Sequence, residues 1–263
     1  MGPSPVAGAT NGSSGDAPEP ARWRAMGLSF STPLGVAAGV DRDGSSFALR
    51  DLTGFGHVEI GTLTSGQTAK CAGAPYGLRL GVNIGSKIEG LDESVIADFA
   101  AILRQAYSVA DYLCFNLTAP HAGRDSETCG VGRLIQQLIE TRDNCAAEAG
   151  RRKPLLVKIH GGLDGAPLPT ALLEAKRRRL DGIVLVSSSL ARIAAVRLHI
   201  GPMALISVGG VRTAEEAMAR IEAGASLVQA HAAVIDGGLQ ELSHPWRRKK
   251  NRPHATPPIG GDE

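Results

Sequence analysis

The amino-acid sequence predicts an α/β protein built as a parallel (β/α)8 TIM barrel, with trimmed crossovers after strands 2 and 6. Eight short apolar runs follow one another along the chain, and helical segments separate most of them. Hydrophobicity within the runs is continuous rather than alternating, as is typical of parallel strands covered on both faces. At 263 residues and 43% hydrophobic, the chain is long enough for one large α/β domain.

Each of the eight runs has the length of a strand and is followed by small or polar residues. Strands that alternate with helices in this way close into a barrel. The predicted strands are Leu34–Gly39, His57–Thr62, Leu80–Gly85, Tyr112–Leu117, Leu155–His160, Gly182–Ser187, Ala204–Gly210 and Ser226–Ala230.

Four connections carry a clear helical pattern. The last of these helices opens with Thr213 followed three residues later by Glu216, which is a capping box. The connections Leu63–Arg79 and Leu190–Gly201 are short for crossovers that need about 10–12 residues, so we expect the barrel to depart from ideal there. The predicted helices are Asp92–Tyr107, Gly132–Ala149, Thr170–Leu180 and Thr213–Ala223.

Three parts are predicted along the chain. Residues 1–25 are rich in Gly, Ser, Pro and Ala without periodicity, which predicts a disordered leader. Residues 26–240 form the barrel domain, and residues 241–263 form a basic, Pro-containing tail.

Composition narrows the classes of partner. The net charge is +2 with both signs spread along the chain, which argues against nucleic acid and membrane partners and favours a small-molecule substrate. The four cysteines show neither CxxC spacing nor a His/Cys cluster, so we expect no metal site, no disulfide framework and a reducing cytoplasm. No run approaches the about 18 apolar residues of a membrane span, which predicts a soluble protein. A homo-oligomer is compatible with all of this.

Candidate site residues gather where the strands end, because the working groups of such barrels lie at the carboxyl ends. Small residues suit close approach to a planar ring, amides and a lysine suit its polar edge, and glycines suit a phosphate, so the set predicts a flavin pocket. The set is Ala38, Gly39, Thr62, Asn83, Asn116, Lys158, Gly209 and Gly210.

Eight segments of the chain form a recognisable ordered set. They are, in sequence order, GLSFSTPLGVAAGVDRDG, GFGHVEIGTLT, GVNIG, FNLTAP, VKI, DGIVLVSSSL, SVGGV and AGASLVQ. Together they resemble the dihydroorotate dehydrogenases, particularly the quinone-using class with its AAGxDKxG signature. The resemblance implies an FMN-dependent oxidoreductase that converts dihydroorotate to orotate in pyrimidine biosynthesis.

The resemblance also implies a role for each cofactor residue. Lys158 would lie near flavin N1 and stabilise negative charge on the reduced ring. Ala38 and Gly39 would lie against the ring, and Gly209 and Gly210 would give backbone amides to the phosphate. The ring or ribityl chain would be hydrogen-bonded by Thr62, Asn83 and Asn116.

The substrate side departs from the family pattern. Arg42 replaces the family lysine, Ala119 stands where the proton-abstracting serine is expected, and His121 replaces the asparagine that follows. Ser187 stands where an asparagine would bind the pyrimidine. An alanine accepts no proton, so His121 is the predicted substitute base, with Lys158 and Arg42 as the other predicted catalytic residues. The true substrate is therefore expected to differ.

Further histidine and cysteine residues lie at or near the predicted strand ends. His160 and His231 are predicted rim residues, and Cys114 is predicted to be a buried small hydrophobe. The family's GGLSG phosphate loop has no counterpart in Leu190–Ala204, and its Tyr-Thr/Ser pair is replaced at His231. Two alternatives stay open: a catalytically inactive pseudoenzyme, and a lyase that uses Lys158 as a Schiff base.

Overall fold

The structure, a computed structural model, describes residues 23–47, 50–74, 77–118 and 130–248. Eight parallel strands form a closed barrel, because the last strand pairs with both the first and the seventh. This confirms the predicted fold. The barrel strands are β3 (Leu34–Val36), β4 (His57–Leu63), β5 (Arg79–Ile84), β6 (Tyr112–Asn116), β7 (Leu155–His160), β8 (Gly182–Val186), β9 (Ala204–Val208) and β10 (Leu227–Ala230).

The helices surround the barrel and confirm the four predicted ones. Both short crossovers are also confirmed: no α-helix lies among the described residues between β4 and β5, and the helix after β8 has 11 residues. The helices are α1 (Glu93–Tyr107), α2 (Gly130–Ala149), α3 (Thr170–Arg177), α4 (Leu190–Ile200), α5 (Ala214–Glu222), α6 (Ala232–Ile235) and α7 (Leu239–Arg248).

The predicted capping box of α5 is present. The Thr213 hydroxyl accepts a hydrogen bond from the Glu216 amide, and the Glu216 carboxylate accepts one from the Thr213 amide. We expect Thr213→Ala to lower the free energy of unfolding by about 1 kcal/mol, because an amide at the helix start loses its partner. Denaturant titration checks this, with Thr68→Ala on an exposed threonine as a control that should change stability by less than about 0.5 kcal/mol.

A hairpin closes the base of the barrel, and the sequence pattern did not predict it. It consists of β1 (Trp23–Ala25) and β2 (Leu28–Phe30), which pair antiparallel. Met26 and Gly27 form its turn with φ of 46° and 77°, the combination that a two-residue type I′ turn requires. Three-residue strands are too short to produce a periodic pattern, which explains why it was missed.

The predicted boundaries at residues 25 and 241 are wrong. The first strand begins at Trp23, inside the predicted leader, and α7 continues to Arg248, inside the predicted tail. The rings of Trp23 and Trp246 meet edge to face with centroids 6.2 Å apart, so buried aromatic area holds both segments to the barrel. The remainder of the leader and of the tail lies outside the described residues.

Side chains alternate between the inside of the barrel and its helix-covered surface. On β4, Val58 and Ile60 pack in the large core under the helices, whereas His57 and Glu59 point inward. A second apolar cluster fills the interior and includes Phe30 of the hairpin. The interior is therefore partly polar, and its polar residues lead toward the carboxyl ends of the strands.

Among the residues that the structure describes, no helix combines the length and the hydropathy needed to cross a membrane. The same residues contain no group of His, Cys, Asp and Glu side chains arranged to hold a metal ion.

Candidate active site

A cavity of about 320 Å³ opens at the carboxyl edge of the barrel, between the ends of β4 and β6. This volume lies at the lower end of the range for small-molecule sites. Thr62 and Asn116 supply its polar wall, the loop 85–91 forms one side, and Val95 and Phe99 of α1 give an apolar floor. The cavity is suited to a small, partly apolar ligand held by a few polar groups.

Three of the predicted cofactor residues form one hydrogen-bonded chain. Asn116 Nδ2 donates to Thr62 Oγ1 at 3.1 Å, and Thr62 Oγ1 donates to Asn83 Oδ1 at 2.8 Å. Asn83 is fully buried and donates from Nδ2 to Glu59 Oε1 at 2.9 Å. Thr62 and Asn116 therefore line the cavity directly, while Asn83 supports them from inside the barrel.

Glu59 is the centre of this interior network, and it was not among the residues predicted from the sequence. Besides Asn83, Tyr112 donates its hydroxyl to Glu59 Oε2 at 3.1 Å and Gln229 Nε2 donates to the same oxygen at 2.9 Å. Burial raises the pKa of Tyr112 well above its ordinary value, and the Glu59 charge adds to the rise. The available signal was a lone carboxylate within the apolar strand HVEIG, which requires buried donors.

Lys158, His231 and Gly39 form a second part of the site. Lys158 is half-buried on β7, in register with Asn116 of β6. His231 follows β10, and its Nε2 lies 2.9 Å from the position that a Cβ on Gly39 would take. Burial, and then the positive charge of Lys158, lower the pKa of His231 below 6.5. The mouth thus carries a neutral imidazole beside a lysine.

Ala38, Gly209 and Gly210 occupy the ends of their strands as predicted. Ala38 is buried after β3. Gly209 and Gly210 follow β9 and lie against the loop after β8, where Ser187 and Ser188 are their neighbours. The predicted cofactor residues therefore surround one edge of the barrel in three groups: the cavity wall, the lysine group and the two adjoining loops.

The first loop is organised by Asp41. Its carboxylate, almost fully buried, accepts hydrogen bonds from the amides of Gly44 (2.9 Å), Ser46 (2.8 Å) and Phe47 (2.9 Å). Its role is thus structural and is performed through backbone amides. Arg42 is exposed on the same loop and forms no ion pair with the described residues.

Two sequence predictions concern residues around the end of β6. Ala119 and His121 lie outside the described residues, so the role of His121 stays a prediction. His160 is exposed, with Nε2 3.2 Å from the Thr118 carbonyl oxygen. Cys114 is fully buried, and burial, followed by the Glu59 charge, raises its pKa well above the ordinary value. The prediction that Cys114 is a buried small hydrophobe is confirmed.

The fold and the site together define a (β/α)8 barrel protein with a candidate site at the carboxyl edge of its strands. Comparison with known proteins agrees. The family model for dihydroorotate dehydrogenase matches residues 180–244, which contain Ser187, both site glycines and His231.

Curated relatives cover most of the chain. The dihydroorotate dehydrogenase (quinone) of Flavobacterium lutescens is 26% identical over 303 residues, covering 90% of this chain and 87% of that protein. The dihydroorotate dehydrogenase (quinone) of Rhizobium johnstonii is 29% identical over 284 residues, covering 82% of this chain and 77% of that protein. Both aligned lengths exceed the 263 residues of this chain, so the relatives carry inserted segments.

Solved structures give the same fold. The ligand-free dihydroorotate dehydrogenase of Eimeria tenella superposes with a TM-score of 0.70 at 21% identity, covering 86% of this chain and 85% of that one. The same enzyme in complex with ferulenol gives a TM-score of 0.68 at 20% identity, covering 86% and 83%. The chain is thus similar in sequence to dihydroorotate dehydrogenases over most of its length, and it shares their fold.

Proposed function

We propose that the protein is an FMN-dependent oxidoreductase of the dihydroorotate dehydrogenase type that acts on dihydroorotate or on another small cyclic compound. The observation that carries the proposal is the hydrogen-bonded chain from Asn83 through Thr62 to Asn116. Its two outer members, Thr62 and Asn116, line a cavity of about 320 Å³ beside the Lys158 strand. The curated relatives named dihydroorotate dehydrogenase (quinone) support it.

The residues present fit FMN. Gly39 lies against the His231 ring, which a Cβ at this position would crowd, and Thr62 and Asn116 face the cavity. The amides of Ser188 and Gly210 have no hydrogen-bond partner among the described residues and are suited to a phosphate. When bound, FMN would accept a hydride from a substrate carbon.

The residues of this chain would bind FMN and the substrate and orient them relative to each other. The Lys158 ammonium supplies positive charge where negative charge develops during hydride transfer, which stabilises the transition state. Glu59 and Asn83 fix the direction of the Thr62 hydroxyl, so that the cavity wall presents set donors and acceptors before a ligand arrives. Such order reduces the reorganisation that binding would otherwise require.

A proton acceptor must replace the serine expected at position 119. We retain His121 as the proposed base, with Arg42 as a binding charge for an anionic substrate. His231 is the candidate among the described residues, because its lowered pKa keeps the imidazole neutral and able to accept a proton. These replacements are the reason why the proposal includes a small cyclic compound other than dihydroorotate as the substrate.

The visible absorbance of the purified protein between about 350 and 500 nm tests the proposal directly. Flavin bands are expected in the protein as purified, or in protein that has been incubated with FMN and then separated from unbound FMN by gel filtration. Bleaching on addition of dihydroorotate would identify it as the substrate, whereas bands that persist would indicate another substrate. Failure to bind FMN at saturating concentration would refute the proposal.

Replacing Asn116 with Ala should weaken FMN binding by about tenfold, because a buried polar contact contributes roughly 1–1.5 kcal/mol. Flavin fluorescence quenching measures the dissociation constant. Asn144→Ala removes an exposed asparagine from α2 and should leave FMN affinity unchanged. Equal affinity in Asn116→Ala and wild type would remove this residue from the cofactor site.

A catalytically inactive family member is the second candidate, and Ala119 favours it. Such a protein would bind FMN weakly or not at all, and no reductant of the substrate class would bleach it. Its Lys158→Ala variant would keep every property of the wild type. In the active enzyme, the same substitution should slow flavin reduction sharply.

A further inference from the structure

Arg220 lies beneath the two loops that follow β8 and β9. It belongs to α5, and only 3% of its surface is exposed. Its Nη1 donates to the Ser187 carbonyl oxygen at 2.7 Å and to Ser207 Oγ at 2.8 Å, and its Nη2 donates to the Gly209 carbonyl oxygen. One guanidinium thus joins both loops from the helix side.

These contacts set the direction of the neighbouring amides. In a trans peptide the C=O and N–H groups point in opposite directions. Because Ser187 and Gly209 turn their carbonyl groups toward Arg220, the amides of Ser188 and Gly210 point away from it. Gly209 and Gly210 have φ of 108° and 73°, a backbone conformation that favours glycine. Among the described residues, neither amide finds an acceptor.

The charge of Arg220 is also unusual. Within the part of the chain that the structure describes, no carboxylate lies within ion-pair distance of its guanidinium, and its three partners are neutral oxygens. Burial lowers its pKa, and the Glu216 charge acts in the opposite direction. A buried cation without an ion pair is costly and favours an anion nearby.

We propose that Arg220 is a positioning residue for the phosphate group of the ligand. It fixes the Ser187 and Gly209 carbonyl groups so that the Ser188 and Gly210 amides receive the phosphate, while its charge attracts the anion from below. In this way it substitutes for the second phosphate loop that is missing from Leu190–Ala204. The inference rests on the proposed function, in which FMN is the ligand.

The test compares FMN with riboflavin, which has the same ring and lacks the phosphate. Wild type should bind FMN at least about tenfold more tightly than riboflavin. Arg220→Met should weaken FMN binding by about tenfold to a hundredfold, the range for a charge-assisted contact. Riboflavin affinity should change less than about twofold. Arg220→Lys keeps the charge, but its side chain cannot reach three oxygens. Its FMN affinity should therefore lie between the affinities of wild type and Arg220→Met.

Arg192 provides a matched control. It is also 3% exposed and donates to three carbonyl oxygens, those of Gly161, Ala166 and Pro167, in the loop after β7. Arg192→Met should destabilise the fold to a similar degree while it preserves the ratio of FMN to riboflavin affinity. The comparison of Arg192→Met with Arg220→Met separates two effects: the general loss of stability on removing a buried arginine, and the specific loss of affinity for the FMN phosphate.

An unchanged affinity ratio in Arg220→Met, or an equal loss of both flavins, would overturn the proposal. If Arg220→Met does not fold, the ratio measured for Arg220→Lys decides. If wild type binds neither flavin, the proposed function fails, and inorganic phosphate becomes the probe. Thermal stabilisation of wild type by phosphate that is lost in Arg220→Lys would then support the role of Arg220, and equal responses would refute it.

Discussion

Replacing Glu59 with Ala should lower the free energy of unfolding by about 3–5 kcal/mol. The substitution removes the acceptor of Asn83, Tyr112 and Gln229 from an interior where Glu59 has no exposed surface. The Asn83 and Tyr112 donors then lack partners, Gln229 Nε2 keeps only the Tyr112 hydroxyl at 3.3 Å, and a cavity remains. Urea unfolding monitored by far-ultraviolet circular dichroism measures the loss.

Glu59→Gln refines this prediction. The side-chain oxygen of the new glutamine still accepts hydrogen bonds from Tyr112 and Gln229. Its NH2 group can donate to Asn83 Oδ1 if the Asn83 side-chain amide rotates by half a turn. We expect a loss of about 1–2 kcal/mol, less than for Ala. Glu89→Ala, on an exposed carboxylate, should change stability by less than about 0.5 kcal/mol. A Glu59→Ala variant as stable as the Glu89 control would contradict the network.

The stability of the protein should fall steeply between pH 6.5 and pH 3 because of His57. Its imidazole is fully buried against Gly35, and the rings of Phe30 and Tyr112 lie 5.6 and 6.4 Å away. Neither ring nitrogen has a partner among the described residues. Burial lowers the pKa of His57 from 6.5 to about 3, which corresponds to a total loss of roughly 5 kcal/mol over the whole interval.

The sign follows from proton binding. Below pH 6.5 the unfolded chain takes up a proton at His57 and the folded chain does not, so acid favours unfolding until the pH reaches the folded pKa of about 3. His57→Phe, which keeps a flat ring, should remove most of the loss of roughly 2 kcal/mol expected between pH 6.5 and 5. The pKa values of Asp43 and Asp92 are lowered from the ordinary value of 3.8, so these aspartates affect stability at a pH below the interval from 6.5 to 5 that is compared for His57→Phe.

The lowered pKa of His231 adds a dependence of the same sign, which His57→Phe retains. His160→Gln changes an exposed histidine and should leave the decline in place. Unfolding curves of wild type, His57→Phe and His160→Gln at pH 7, 6 and 5 give the free energy of unfolding of each protein as a function of pH. Identical pH dependence in wild type and His57→Phe would show that His57 is not the source.

The strands were predictable because each carries its own signal. A continuous apolar run such as Leu155–His160 predicts a strand covered on both faces without reference to the rest of the chain. The hairpin at Trp23–Phe30 and the end of α7 gave no such signal, because their ordering depends on contact with residues far away in sequence. Tertiary packing fixed those boundaries.

The site residues at the strand ends could be predicted from the sequence, whereas the buried residues that hold them in place could not. Thr62, Asn116 and Lys158 stand at strand ends, where position alone suggests a role. Glu59 and Gln229 are separated by 170 residues, and only the closed barrel brings them together. The position of Arg220 in the helical pattern suits an exposed surface as well as a buried contact. Its burial beneath two loops was therefore not predictable from the sequence.

The contact between Trp23 and Trp246 gives the protein an internal optical reporter. The chain has two tryptophans, and both lie in this one pair at the base, on the side opposite the mouth. Intrinsic tryptophan emission therefore reports whether the hairpin and α7 remain docked to each other. Loss of α7 from the base would expose both indoles to water and shift the emission to the red, while the barrel strands could stay paired.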